Sequence, residues 1–96
     1  MLILRVLQNG QLHGYAIAQR IRQLSGEVLE AEEGSLYPAL QRMLMEGWVT
    51  GEWGVSESKR RVRFYTLTKD GVKRLKQELA EYEQVTAAIQ GILRTA

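Results

Sequence analysis

The sequence contains no cysteine. That removes disulfides, thiolate nucleophiles and thiolate metal sites together, fits a reducing compartment, and leaves the fold to be held by packing alone. Histidine is nearly absent as well: His13 is the only imidazole. It stands beside Gly14 at the start of a helical stretch, where helix capping or a hydrogen bond to phosphate suits it better than proton transfer, and no partner group stands out. Glu30, Glu32 and Glu33 form a close acidic run of the kind that is ordinarily solvated rather than catalytic or metal-binding. No glycine-rich phosphate loop, nucleophile elbow or metal-ligand spacing occurs, so neither an enzyme, a metal nor a cofactor is expected. No apolar run approaches the length of a membrane span, and no charged start leads into an apolar run and a cleavage site. A soluble, cytoplasmic protein with no membrane partner is the expectation.

Acidic residues are scarce in one place. Residues 59 to 76 hold eight lysines and arginines against the single acid Asp70, while the rest of the chain holds five basic residues against ten acidic. The net charge of +2 therefore hides one strongly positive segment. Such a segment suits a polyanion, because each cation set on a phosphate releases condensed counterions. A solvated face of a hairpin and helix explains the charge run equally well when it is taken alone.

At 96 residues there is room for one domain and a small core, which a second subunit would enlarge. The chain opens with apolar residues 1 to 8, stopped by Asn9-Gly10 in the manner of a helix end. A second helix is predicted from Tyr15 to Leu24, where Ile17, Ile21 and Leu24 share a face. Ser25-Gly26 closes it, and residues 27 to 33 read as an acidic connector with a brief extended piece around Val28 and Leu29.

Ser35 is the expected N-cap of a third helix, which places Pro38 in the first turn, where its missing N–H is harmless. Leu36, Leu40, Met43 and Leu44 form the inner face. Tyr37, Pro38, Gln41, Arg42 and Met45 form the outer one, and Gly47 is the expected C-terminal cap. Trp48 to Trp53 and Arg61 to Leu67 are rich in β-favouring residues and flank a turn over Gly54 to Ser58, so an antiparallel hairpin is predicted. Its aromatic residues Trp48, Trp53, Phe64 and Tyr65 are expected to pack on the helices beneath rather than to form a stacking platform for single strands. Thr68 then caps a last helix, with Asp70 near its positive end. There Val72, Leu75, Leu79, Tyr82, Ile89 and Leu93 recur in steps of three and four, with Thr86 in the one polar slot. A helix of about 25 residues would be near 38 Å long, more than so small a domain covers, so part of this seam is expected to meet a partner.

Three helices followed by a hairpin is the order of a winged helix-turn-helix, whose third helix enters the major groove. On that reading Gln41 and Arg42 are the natural base readers, able to make paired hydrogen bonds to adenine and guanine. Ser35 and Tyr37 suit phosphate oxygens, and Pro38 offers an apolar surface for a thymine methyl or sugar. Lys59, Arg60 and Arg61 form the tip of the wing; with Arg63 they put four cations in five positions, which repel one another unless an anion is brought to them.

The runs Leu12-His13-Gly14-Tyr15-Ala16-Ile17, Gly34-Ser35-Leu36-Tyr37-Pro38-Ala39-Leu40, Glu46-Gly47-Trp48-Val49 and Arg63-Phe64-Tyr65-Thr66-Leu67-Thr68 together resemble the PadR family of bacterial transcriptional regulators. The resemblance covers about residues 1 to 80. It implies a mainly α fold with a small β-hairpin: a winged helix-turn-helix over residues 1–68 and a C-terminal dimerisation helix over 69–96, forming one compact unit. It also implies a homodimeric repressor of double-stranded DNA, often relieved by a small-molecule effector at or near the dimer interface; the two-fold symmetry of such a dimer makes an inverted-repeat operator the expectation. Carried over by position, Ser35, Tyr37, Pro38, Gln41 and Arg42 would face DNA, Lys59, Arg60 and Arg61 would form the wing, and Tyr15 would help anchor the backbone. Leu75, Leu79, Tyr82, Ile89 and Leu93 would make the dimer. Family members carry about one more helical turn before the residues matching Leu2-Ile3-Leu4, so the sequence is expected to be clipped or started late there. Its single long helix resembles the shorter branch of the family, without a separate ligand domain. The competing expectation is a winged-helix module that docks an acidic protein, for which the outer face of the third helix would need more large apolar residues than Tyr37, Gln41 and Arg42 supply.

Overall fold

Leu4, Val6 and Leu7 bury one face of the first helix, α1 (Leu2–Leu7). A two-residue strand, β1 (Leu12–His13), leads directly into α2 (Gly14–Leu24), whose Ile17 and Ile21 meet α1 in the core. After a connector come α3 (Glu33–Met45), the strands β2 (Val49–Val55) and β3 (Arg61–Leu67), and the 25-residue helix α4 (Lys69–Leu93). This is a computed structural model; it describes residues 1–95, the Glu33 side chain excepted. Ala96, the last residue of the expected C-terminal segment, lies outside the described residues.

The three strands form an antiparallel sheet in the order β1-β3-β2. In β2 and β3 the pairing runs from Val49 opposite Leu67 to Val55 opposite Arg61, while β1 sets Leu12 against Tyr65 and His13 against Phe64. The hairpin matches the sequence expectation, with β2 running two residues further. The short β1 is an addition to it, since two residues carry no periodicity. His13 does act as a cap: its Nδ1 accepts a hydrogen bond from the Ala16 amide at 3.3 Å. No strand forms around Val28 and Leu29.

The start of α3 corrects a second expectation. Glu32, not Ser35, occupies the N-cap position, and the amides of Ser35 and Leu36 both donate to the Glu32 carbonyl. Glutamate favours helix and its charge suits the positive end of the dipole, so the helix extends upstream. Pro38 therefore lies in the second turn, where it leaves the Gly34 carbonyl without an intrahelical donor. Gly34 is exposed, so water can serve it. Gly47 takes a φ of +76° at the other end, as the capping role requires.

The core joins all layers: Leu4 and Leu7 from α1, Ile17 from α2, Leu36 and Leu40 from α3, Val49 and Tyr65 from the sheet, and Leu75 from α4. Each fully buried aliphatic side chain contributes about 1.5–3 kcal/mol. Where α4 begins, Thr68 ties three segments together. Its Oγ1 accepts from the Gly71 amide at 3.0 Å and donates to the Gly47 carbonyl at 2.7 Å, while its own amide donates to the Trp48 carbonyl at 3.0 Å. Beyond Leu79 the helix leaves the rest of the molecule, giving dimensions of 57 × 29 × 23 Å.

Gly71 allows the close approach at this junction, because a methyl group there would collide with the Trp48 carbonyl oxygen and the Leu67 side chain. Alanine in an open helix would gain about 0.8–1.0 kcal/mol over glycine, but overpacking costs about 1–3 kcal/mol. Gly71→Ala is thus expected to destabilise the protein and lower its urea midpoint. A raised midpoint would disprove the close approach.

Candidate nucleic-acid interface

Every residue expected on the outer face of α3 is exposed: Ser35, Tyr37, Pro38, Gln41 and Arg42 all lie at the surface, as does Met45. Leu36, Leu40 and Met43 behind them are buried and fix the rotation of the helix. Tyr37 reaches across to α2, where its ring lies against Gly14; a methyl group there would stand 2.9 Å from the phenol oxygen. The Tyr15 hydroxyl accepts from the Gln19 side chain at 3.2 Å, and its ring stacks at 6.5 Å on His13. The starts of α2 and α3 thus form one tyrosine-bearing ledge.

The hairpin tip is a compact turn. Ser56 organises it: its carbonyl accepts from the Lys59 amide at 2.9 Å, and its Oγ accepts from the Arg60 amide at 3.3 Å and bonds the Ser58 hydroxyl at 3.0 Å. Lys59 takes a φ of 60° to close the turn, a left-handed conformation that costs a non-glycine residue about 1–2 kcal/mol. Lys59, Arg60 and Arg61 all project into solvent. Trp53, Ser58, Arg60 and Arg61 of the hairpin face Tyr15 and Tyr37 across an open cleft of about 740 Å³. The structure therefore brings the expected wing residues Arg60 and Arg61 to one cleft with Tyr37 of α3 and Tyr15 of α2, while Ser35, Pro38, Gln41 and Arg42 lie outside its lining.

Trp53 departs from the expectation that the hairpin aromatics pack on the helices. Tyr65 is buried, and Trp48 and Phe64 are half-buried, but Trp53 is 63% exposed because the hairpin extends past the helices at that point. It lies instead under guanidiniums, with Arg61 Cζ 4.9 Å and Arg63 Cζ 6.0 Å from its ring centroid. Burial pushes the Tyr65 phenol up, outweighing the opposite effect of Arg63. Arg63, which the sequence reading counts among the wing's cations without naming it a contact residue, and Trp53, which it expects to pack on the helices, both line the cleft. A signal exists in the period-two alternation that sets Arg61, Arg63, Tyr65 and Leu67 on one face, opposite Val55, Trp53, Gly51 and Val49.

The seam on α4 divides. Leu75 is only 1% exposed and Leu79 packs against the core, so these two serve the protomer's own interior. Tyr82, Ile89 and Leu93 are exposed, together with Val85 and Ile92, which the seam did not include. Among the described residues no cluster of acidic and histidine side chains gathers as a metal ligand set, and no helix is long and apolar enough to cross a membrane.

Comparison with known proteins gives the chain its relatives. The profile of the Transcriptional regulator PadR-like family matches residues 3–77. The Negative transcriptional regulator PadR of Bacillus subtilis (strain 168) is 27% identical over 88 residues, which make up 92% of this chain and 48% of that protein, so the chain spans about half the length of this relative. A transcriptional regulator from Clostridium thermocellum superposes with a TM-score of 0.88 at 31% identity, over 97% of this chain and 90% of that one. Bacillus subtilis PadR, solved in complex with operator DNA, superposes with a TM-score of 0.70 at 31% identity, over 80% of this chain and 44% of that one. With most of its length matched and its winged helix shared, the chain belongs to the PadR-like family of transcriptional regulators.

Proposed function

We propose that this chain binds double-stranded operator DNA as a homodimer and represses transcription, with a small-molecule effector relieving it where two copies meet. The observation that carries the reading is the cleft in which Arg60 and Arg61 of the hairpin face Tyr15 of α2 and Tyr37 of α3, beside an α3 whose Ser35, Pro38, Gln41 and Arg42 are all exposed. The relative from Bacillus subtilis solved with operator DNA supports the same assignment. Gln41 and Arg42 are the base readers, Ser35, Tyr37 and Tyr15 hold backbone, Pro38 gives an apolar surface, and Lys59, Arg60 and Arg61 reach phosphates from the wing. Residues 1–68 act as the DNA-binding unit and 69–96 as the dimerisation element. Binding selection on random duplex DNA at two salt concentrations tests the whole proposal: enrichment of an inverted repeat is the expected outcome, and no enrichment at either salt would refute it.

Replacing Lys59, Arg60 and Arg61 together with alanine is expected to weaken all duplexes alike. The salt slope should flatten by about 0.9 for each phosphate deprived of its cation, which filter binding over a salt series measures. Gln41→Ala or Arg42→Ala is expected to behave differently, relaxing sequence choice at particular operator positions at a cost of about 1–3 kcal/mol. Equal losses on operator and unrelated DNA would exclude that residue as a base reader.

Assembly follows from the exposed stripe Tyr82, Val85, Ile89, Ile92 and Leu93. Covering it with a symmetry-related copy removes a large apolar surface from water. Ile89→Asp combined with Leu93→Asp, both remote from the protomer core, should yield a folded monomer that no longer binds operator tightly. Sedimentation velocity with circular dichroism checks this, and a double variant that stays dimeric would rule out the stripe as the interface.

A further inference from the structure

The cleft between the hairpin and the ledge of α2 and α3 carries three guanidiniums, from Arg60, Arg61 and Arg63, and no carboxylate. Among the described residues none of the three forms a salt bridge. Arg63 is the telling one. It lies flat on the inner face of the hairpin, held there because Gly51 opposite Tyr65 has no side chain; a methyl group at 51 would collide with the Arg63 Nε. The ring of Trp53, its cross-strand partner, has its centroid 6.0 Å from the Arg63 Cζ. The Nε is buried without a hydrogen-bond partner.

Packing, then, and not an acceptor, keeps this cation in place. A guanidinium partly stripped of water and left unpaired carries a free-energy cost. With the Nε packed against Gly51, an oxygen-rich anion entering the cleft can pair with the terminal nitrogens of the guanidinium through charge-assisted hydrogen bonds. The cleft is partly open to solvent, and its far wall is formed by His13, Gly14 and Tyr15 at the start of α2 together with Tyr37 of α3. A polymer that touched both the wing and Tyr37 of the third helix would span it.

We propose that Arg63 holds a phosphodiester of the duplex backbone in this cleft and that Trp53 is its positioning residue. The proposal rests on the DNA-binding reading above and adds to it a phosphate site on the hairpin's inner face, separate from the wing tip. A fluorescein-labelled random-sequence duplex is the probe, titrated by anisotropy over a salt series. Arg63→Gln is expected to weaken binding about threefold to tenfold and to reduce the salt slope by about 0.9, the value for one phosphate, whereas Arg63→Lys keeps the slope. An unchanged slope in Arg63→Gln, with the Lys59, Arg60 and Arg61 triple variant still lowering it, overturns this inference and leaves the DNA reading standing. No loss in either variant overturns both.

Trp53 provides an independent readout that does not depend on the folding of Arg63→Gln. In a Trp48→Phe protein it is the sole indole, and its emission should change as the duplex saturates. Constant emission during binding that anisotropy detects refutes the proposed site. Inorganic phosphate distinguishes the source: quenching of Trp53 by free phosphate that the duplex does not displace would assign the cleft to a small anion and overturn the proposal.

Discussion

Thr68 and Gly71 occupy the point through which every other part of the structure is oriented. The Thr68 side chain joins the end of α3, at the Gly47 carbonyl, to the first turn of α4, at the Gly71 amide, and its backbone closes onto Trp48 at the foot of β2. Because Gly71 presents no side chain, the α4 backbone comes into contact with the strand itself. The angle between hairpin and helix is thereby set by backbone atoms rather than by adjustable side chains. Arg74, one turn further on, reinforces the junction: its Cζ lies 4.9 Å from the Trp48 ring centroid while its Nε donates to Glu78 at 2.9 Å. The direction in which α4 leaves the domain follows from this junction, which also anchors the base of the wing.

The cationic hairpin and the apolar stripe of α4 lie apart along the molecule, although Trp53 and Val55 are exposed on the hairpin as well. The hairpin gathers cations that have no salt-bridge partner among the described residues, while exposed apolar groups gather on the far half of α4, about three helical turns past the junction. Each surface is unfavourable in isolation, the first through mutual repulsion and the second through exposure to water. Their separation lets one be covered by an anion and the other by an apolar partner without competition.

Much of this is legible in the sequence, and the residues that are not show why. Helix faces with three or more apolar positions, such as Leu36, Leu40 and Met43, announce themselves by period. So do hairpins with a turn between β-favouring runs. Thr68 as a cap and residues 69 to 93 as a helix follow from local chemistry alone. The two-residue β1 does not, because its existence depends on Tyr65 and Phe64, far along the chain. A serine N-cap outweighs the helix preference of the acidic run when the sequence is read locally, so the true start of α3, upstream of Ser35, escapes that reading. Leu75 and Leu79 look interchangeable with Ile89 on the seam, since periodicity gives the face of a helix but not the point at which its own domain stops covering it. The pairing of Trp53 with Arg63 eludes a linear reading for a related reason: Arg63 is visible as one of the wing's cations, but its place beside Trp53 registers only when the hairpin alignment is applied to both strands.

The short strand β1 has a mechanical meaning. A hairpin attached to its domain at the base alone can swing about it. Here His13 pairs with Phe64 in β3, sets its ring edge-on to the Phe64 ring at 5.7 Å, and caps α2 through its Nδ1. The middle strand of the sheet is thus riveted to the helix that supports the ledge, and the hairpin behaves as a cantilever rather than a flap. A surface so constrained gives up little conformational freedom when it associates, and the entropy cost falls on the long side chains at its tip. The molecule meets its partner as a preformed template.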